Sequence, residues 1–170
     1  MTDELLSEEL SKKCFKIEFH KLWLDIKCFE PLRGFCSEAE YEIALTHFLK
    51  RKFKVEPQKR IGNFVIDAFI NDKFGLEIKY CIDRNELNRL VGQILNYVEY
   101  PSLKIIFVVL FNTCDGLVEE LRRKIKPHVK NVIIVSKKTV RVVYDDSFFP
   151  SYDAELRRLR DRKKKLEVEK

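Results

Sequence analysis

The feature that most constrains this fold is a pair of neighbouring apolar segments that each enclose charged residues. The segment Phe64 to Asn71 has the composition of a strand and holds Asp67 among Val, Ile, Ala and Phe side chains. The segment Phe74 to Tyr80 holds Glu77 and Lys79 two residues apart, so strand alternation places both on one face. Burying an unpaired carboxylate is costly, and two carboxylates that converge favour a cation between them. The sequence therefore predicts a cation site where the two strands pair.

A hard divalent metal ion satisfies this requirement. Mg²⁺ takes one or two carboxylates and keeps several waters, and Mn²⁺ prefers similar oxygen ligands. Lys79 beside such an ion would suit phosphodiester hydrolysis, because its ammonium group can orient the attacking water or offset developing phosphate charge. The alternative is a structural pair of Glu77 and Lys79 on a solvated strand face, with Asp67 at an edge. Glu-x-Lys alone favours that alternative, whereas Asp67 inside an apolar strand favours the site.

Helices predicted on either side of these strands supply further candidates. Ser37 is a predicted N-cap, and Glu38 lies on or near the apolar face of the helix that follows. Glu38 is therefore either a metal ligand or a charge that suits the helix dipole. In the helix predicted from Arg84 to Glu99, Gln93 and Tyr97 lie one turn apart on one face. They either contact a substrate or pack the helix against the sheet.

The order of the remaining predicted elements indicates an α/β domain with a mixed sheet. Besides those already named, the predicted elements are a helix at Glu4 to Phe29, strands at Val55 to Ile61 and Lys104 to Phe111, a helix at Gly116 to Lys126, and strands at Asn131 to Ser136 and Thr139 to Tyr144. We divide the chain into an N-terminal helical segment (1–36), an α/β domain (37–150) and a basic helical tail (151–170).

Composition narrows the functional class. The chain has 170 residues, of which 45% are hydrophobic and 35% charged, and no apolar run approaches the length of a membrane span. Its first nine residues lack a signal-peptide pattern, so we expect an intracellular, cytoplasmic protein without membrane association. The five cysteines are widely spaced without a close pair, which favours buried reduced thiols over a cysteine-bound metal: Cys14, Cys28, Cys36, Cys81 and Cys114.

The charge of the chain permits a nucleic-acid partner. The net charge is +6, and residues 157–165 hold seven cations and one acid. That stretch is either a solvated helical tail or a phosphate-binding clamp. The candidate backbone contacts are Lys59, Arg60, Arg84, Arg89, Arg157, Arg158 and Arg160. A short apolar seam in the same tail would allow a homodimer, and its members are Leu156, Leu159 and Leu166.

The charged and polar positions together resemble the PD-(D/E)XK nuclease superfamily. The motif positions, in chain order, are Glu38, Asp67, Glu77-Ile78-Lys79 and Gln93-Ile94-Leu95-Asn96-Tyr97. The Gln-x-x-x-Tyr spacing resembles the RecB-like branch, and the segment from Ser37 to Leu110 is similar to the small proteins called GxxExxY. Two positions depart from these patterns, because Ile66 replaces the proline that often precedes Asp67 and Phe35 replaces the GxxExxY glycine.

The resemblance implies a restriction-endonuclease-like core in residues 37–150, with a central mixed β-sheet flanked by helices. It implies Mg²⁺ or Mn²⁺ as cofactor, held by Asp67, Glu77 and the Ile78 carbonyl. It further implies Lys79 as the catalytic lysine, with three accessory residues: Glu38 as an acid or further ligand, and Gln93 and Tyr97 as substrate-positioning groups. The expected function is metal-dependent hydrolysis of DNA phosphodiester bonds. The alternatives are a non-catalytic nucleic-acid-binding module on the same fold and a homodimeric junction-resolving endonuclease.

Overall fold

The computed structural model describes residues 2–31, 35 and 37–139, with side chains from residue 7 onward. Its elements are α1 (Thr2–Cys28), α2 (Glu38–Lys50), β1 (Val55–Ile61), β2 (Phe64–Ile70), β3 (Phe74–Tyr80), α3 (Arg84–Tyr97), β4 (Ile105–Phe111), α4 (Asp115–Ile125) and β5 (Val132–Lys137). Each confirms a predicted helix or strand, and wherever an end was predicted it differs by no more than two residues. The strand predicted at Thr139 to Tyr144 and the basic tail lie outside the described residues, apart from Thr139.

The strands form one mixed sheet in the order β1-β2-β3-β4-β5. β2 is antiparallel to both β1 and β3, whereas β3, β4 and β5 run parallel to one another. Parallel neighbours need a crossover connection, which α3 supplies between β3 and β4 and α4 between β4 and β5. The predicted α/β class with a mixed sheet flanked by helices is therefore confirmed.

Tight turns join the antiparallel strands. Gly62 has φ of +58° between β1 and β2, while Asn71 and Asp72 have φ of +49° and +58° between β2 and β3. Gly, Asn and Asp tolerate this left-handed backbone better than other residues. These turns fix the order of the three strands that carry the candidate site.

Two apolar clusters cover the two faces of the sheet. One contains Leu22 and Ile26 of α1 and Leu45 of α2, and the other contains Leu90 of α3 and Leu121 of α4. Strand alternation divides β4 between them, because Phe107, Val109 and Phe111 join the first cluster and Ile106, Val108 and Leu110 join the second. The N-terminal helix therefore shares a core with the sheet.

The cysteine prediction is half right. The four described cysteines (Cys14, Cys28, Cys81 and Cys114) are free, as expected, but all four are exposed. The expectation of burial is wrong for them, because Cys14 and Cys28 lie on the outward side of α1 and the other two directly follow β3 or precede α4. Cys36 lies outside the described residues. Among the described helices, none combines the length and the apolar character needed to cross a bilayer.

Candidate functional site

The candidate site begins where β2 and β3 separate. Their register runs from Ile70 and Phe74 to Ala68 and Leu76, and it ends there, one residue short of Asp67 and Glu77. On its other side, β2 stays paired with β1 as far as Phe64. The separation therefore opens a gap in the sheet with one buried carboxylate on each side.

Asp67 takes the place of a strand partner at this gap. Its Oδ2 accepts a hydrogen bond of 2.7 Å from the backbone N–H of Ile78. A buried N–H without a partner would be costly, so the carboxylate stabilises the sheet at the point where the strand ladder ends. This contact also fixes the side chain of Asp67 beside Glu77.

Lys79 bridges two carboxylates from different elements. Its Nζ lies 2.9 Å from Oε1 of Glu77 and 3.0 Å from Oε1 of Glu38. The side chains of Lys79 and Glu77 are 10% and 2% exposed, whereas that of Glu38 is 42% exposed. The predicted placement of Glu77 and Lys79 on one face is confirmed, but the face is buried. The solvated-face alternative does not describe this pair.

Glu38 reaches the site because of how α2 begins. Ser37 is the N-cap, as predicted, and its side chain accepts a hydrogen bond from the backbone N–H of Glu40. This cap starts the helix at Glu38, whose carboxylate then extends to Lys79. The geometry brings Glu38, a residue of α2, together with two residues of β3.

Tyr97 supports Glu77 from α3. Its hydroxyl donates toward the carbonyl oxygen of Val65 at 3.0 Å and toward Oε2 of Glu77 at 3.2 Å. The Tyr97 side chain is fully buried, and its ring meets Phe64 edge-on. Tyr97 therefore holds Glu77 against β2, and its ring is not accessible to stack on a base.

Gln93 lies one turn before Tyr97 and is half-buried. Its Oε1 is buried and has no hydrogen-bond partner among the described residues. A buried amide oxygen without a partner is costly, so a donor from water or from a bound molecule would stabilise it. This side chain keeps free hydrogen-bonding capacity next to the residues that hold Glu77.

Sequence reasoning missed one residue that positions the site, Gln58. The register of β1 and β2 pairs Pro57 with Ala68 and Lys59 with Ile66, and it skips the pair of Gln58 and Asp67. Gln58 has φ of +51°, and its side-chain amide donates to the carboxylate of Glu42 on α2. It therefore ties α2 to the sheet beside the gap. Pro57, directly before Gln58, is the one signal in β1 that could have indicated it, because proline in a strand is confined to edges and bulges.

Burial and charge together perturb the ionisation of the site. Burial and the neighbouring Glu77 raise the pKa of Asp67 to about 8, and burial also raises the pKa of Glu77. Burial disfavours the charge of Lys79, but the attraction of Glu77, Asp67 and Glu38 outweighs it and raises the pKa of the ammonium group. Burial, followed by Glu77, raises the pKa of Tyr97. Burial, more than mutual repulsion, thus disfavours the charged forms of Asp67 and Glu77, while Lys79 keeps its charge among three carboxyl groups.

The donor set fits a hard divalent ion with few protein ligands. No group of three or more His, Cys, Asp and Glu residues within the described ranges is arranged to hold a metal. The site instead offers the carboxylates of Asp67 and Glu77, and the carboxylate of Glu38 pairs with Lys79. Mg²⁺ is typically bound through one or two carboxylates and keeps most of its waters. Two buried carboxyl groups match that mode in number and in ligand type.

The basic candidates lie outside this cluster. Lys59 forms an ion pair of 2.7 Å with Glu56, and the hydrogen bond from Lys59 to Glu56 raises the pKa of the lysine. The Nε of Arg60 donates to the carbonyl oxygen of Gly62. Arg84 lies 3.6 Å from Glu120, and Arg89 is exposed on α3. The remaining candidates, Arg157, Arg158 and Arg160, lie outside the described residues.

Comparisons with known proteins found no match to this chain. No protein-family model, curated protein or solved structure matches this chain.

Proposed function

We propose that this chain is a Mg²⁺- or Mn²⁺-dependent nuclease that hydrolyses phosphodiester bonds of DNA. The proposal includes a restriction-endonuclease-like core of the PD-(D/E)XK superfamily, RecB-like branch, and an intracellular, cytoplasmic location. The observation that carries it is the convergence of Asp67, Glu77 and Lys79 at the gap between β2 and β3. A structural ion pair would not require a second buried carboxylate or a break in the sheet.

Each residue of the cluster then has a distinct role. Asp67 and Glu77 would hold the metal ion, together with the carbonyl oxygen of Ile78. A bound divalent ion supplies a Lewis acid and lowers the pKa of a coordinated water. Lys79 remains charged, since its pKa is raised, so it would orient the attacking water and offset the charge that develops on the phosphate.

Glu38, Gln93 and Tyr97 would support this arrangement. Glu38 binds the Nζ of Lys79, which Glu77 also binds, and it is exposed enough to meet solvent or substrate. Gln93 offers an unpaired oxygen to a water or to a donor on the substrate. Tyr97 acts through Glu77, because its buried hydroxyl donates to that carboxylate. It is therefore a positioning residue.

DNA is the proposed substrate because of the charge of the chain and its exposed cations. A net charge of +6 favours association with a polyanion, and phosphate contacts carry most of that affinity. Lys59, Arg60, Arg84 and Arg89 would contact the backbone around the site. The basic stretch that contains Arg157, Arg158 and Arg160 would act as a clamp.

The test compares the wild type with matched variants on labelled single-stranded, linear duplex, circular and four-way-junction DNA. Reactions contain Mg²⁺, Mn²⁺ or EDTA. We expect metal-dependent cutting that Asp67→Asn and Lys79→Ala abolish and that Asp72→Asn retains, because Asp72 is an exposed carboxylate at the far end of the same hairpin. Cutting that survives in the two site variants would overturn the assignment.

The same experiment separates the alternatives. DNA binding without cutting on any substrate would instead support the non-catalytic module. Preferential cutting of the four-way junction by a species that sediments as a dimer would support the junction-resolving endonuclease.

A further inference from the structure

Large apolar side chains recur at intervals of seven residues on the outer side of α1. Leu10, Ile17 and Leu24 are 57%, 47% and 41% exposed, and the described residues include two other large apolar side chains that are exposed, Ile43 and Val65. A seven-residue interval places side chains on one line along a helix. Single apolar residues scattered over a surface need no explanation, whereas a continuous apolar line marks an interaction surface.

The residues between these positions complete an exposed stripe. Intervals of four and three residues alternate along it, and all of its members are exposed: Leu10, Cys14, Ile17, Lys21, Leu24 and Cys28. This alternation is the a and d pattern of a coiled coil, with leucine and isoleucine at d and with cysteine and Lys21 at a. A single lysine at an a position lowers stability but specifies one register and one oligomeric state.

The opposite face of α1 packs on the sheet. Phe15 and Phe19 contact phenylalanine rings of β3 and β4, with centroid distances of 5.4 and 5.9 Å. Leu22 and Ile26 continue this face and are fully buried in the same cluster. At 3.6 residues per turn these four side chains lie roughly opposite the stripe. A helix that packs along the stripe would therefore not compete with the sheet.

The N-terminal half of α1 lacks the support that the sheet gives to the rest. Every side chain from Ser7 to Cys14 is exposed. Helices in water depend mostly on the tertiary packing of an apolar face, and an unsupported segment is marginal. A partner helix along Leu10 and Cys14 would supply this packing.

The two flanks of the stripe differ in charge, which distinguishes between partner orientations. One flank holds Lys13, His20 and Lys27, and the other holds Ser11, Glu18 and Asp25. In a parallel pair of these helices, the basic flank of each copy lies beside the acidic flank of the other, with Lys13 opposite Glu18 of the second copy. His20 faces Asp25 of the second copy in the same way. An antiparallel pair would instead place each flank beside the same flank of the other copy.

The acidic flank also binds cations of its own chain. Glu18 lies 2.7 Å from Lys73, and Asp25 lies 2.8 Å from Lys52. Ion pairs at an exposed seam contribute little affinity, but they influence orientation. The apolar residues of the stripe would therefore supply most of the affinity, and the flanks would select the parallel arrangement.

We propose that the stripe on α1 is an interface with a second copy of this chain, which pairs with it as a parallel two-helix seam. A second copy is the partner because the stripe and its flanks are complementary to themselves, as a two-fold interface requires. The interface is separate from the predicted seam of Leu156, Leu159 and Leu166. The inference does not depend on the nuclease proposal.

The first experiment measures self-association of the full chain by analytical ultracentrifugation over micromolar concentrations. Ile17→Glu places a charge at the centre of the stripe, where Lys13 and Lys21 lie one turn away on either side and support the helix. Ile43→Glu is the matched control, because Ile43 is an isoleucine on α2 that is 70% exposed. We expect the wild type and Ile43→Glu to form the same dimer. Ile17→Glu should weaken it by about tenfold or more, because each dimer loses two buried isoleucines.

A conservative variant and a folding control accompany these proteins. Ile17→Leu keeps an apolar d position and should retain the dimer. Circular dichroism establishes that every variant keeps its helices. A monomeric wild type at every concentration would overturn the interface, and so would a dimer that Ile17→Glu forms as well as the wild type does.

The second experiment tests the parallel register by cross-linking. In a parallel pair the two copies of Cys14 face each other, whereas in an antiparallel pair they lie turns apart. One variant keeps Cys14 as its single cysteine, and the control keeps Cys114, which precedes α4. A short bis-maleimide alkylates one thiol with each of its ends. We expect a covalent dimer from the first variant and none from the control, and a dimer that does not cross-link through Cys14 would overturn the parallel pairing.

Discussion

Asp67→Asn should stabilise the metal-free protein at neutral pH. Asn keeps the size of the side chain and an oxygen that can accept from the N–H of Ile78, but it removes the titrating carboxyl group. The pKa of Asp67 is raised from an ordinary value of 3.8 to about 8, mainly by burial and by Glu77. Between these two values the folded protein binds a proton that the unfolded chain has released. Stability therefore falls as pH rises through this window.

The magnitude follows from the same shift. At pH 7 the unfolded chain gains about 4 kcal/mol by releasing a proton that the folded protein retains, taken as an upper limit. Asp67→Asn removes this stabilisation of the unfolded chain, because asparagine has no proton to release. The free energy of unfolding of the variant should therefore exceed that of the wild type by about 2 to 4 kcal/mol at pH 7. The difference should vanish near pH 3, where both states of the wild type are protonated. In a chain of this size it corresponds to a Tm rise of about 4 to 16 °C.

The assay is urea unfolding in EDTA at several pH values between 3 and 8. Asp72→Asn is the control, because Asp72 is exposed and its ion pair with Lys54 contributes no more than about 1 kcal/mol. A difference between Asp67→Asn and the wild type that does not change with pH would refute the reasoning. A variant less stable than the wild type at pH 7 would refute it as well.

Three other predictions concern neighbours of this carboxyl group. Mn²⁺ at 100 times its Kd should stabilise the wild type by about 2.7 kcal/mol and leave Asp67→Asn unchanged in a thermal-shift assay; equal shifts would place the metal elsewhere. Lys79→Met should lower the free energy of unfolding by about 3 to 5 kcal/mol at pH 7, because it leaves Glu77 buried without its cation. Urea unfolding measures this loss, with Lys79→Arg as the conservative control. Tyr97→Phe should lower the free energy of unfolding by about 1 to 3 kcal/mol, because it removes the hydroxyl that donates to Glu77. It should also lower kcat more than it raises KM, and a change in KM alone would contradict a role through Glu77.

Local patterns predicted the parts of the site that depend on one element at a time. Asp67 among apolar neighbours indicated a buried carboxylate, and alternation placed Glu77 and Lys79 on one face. The N-cap at Ser37 fixed where α2 begins. Each of these inferences needs only the neighbours of a residue within a strand or helix turn.

What depends on distant pairing could not be predicted. The separation of β2 from β3 at Asp67 and the departure of Gln58 from β1 arise from the register of three strands. The complete burial of Tyr97 depends on how α3 packs over that gap. Periodicity along the chain does not report contacts between distant elements. The sequence could therefore place Tyr97 on a helix face but could not predict its hydrogen bond to Glu77.

The ion bridge of Lys79 gives the buried carboxylates a counterion that is part of the chain. Many small metal sites depend on their ion to fold, because the ligands repel one another without it. Here a covalently attached ammonium group already lies between Glu77 and Glu38 and acts as a resident counterion. An incoming divalent ion would share the carboxylates with this lysine and would not have to create the pocket. If the proposed metal binds here, the charge balance at Lys79 would let the chain fold before the ion arrives.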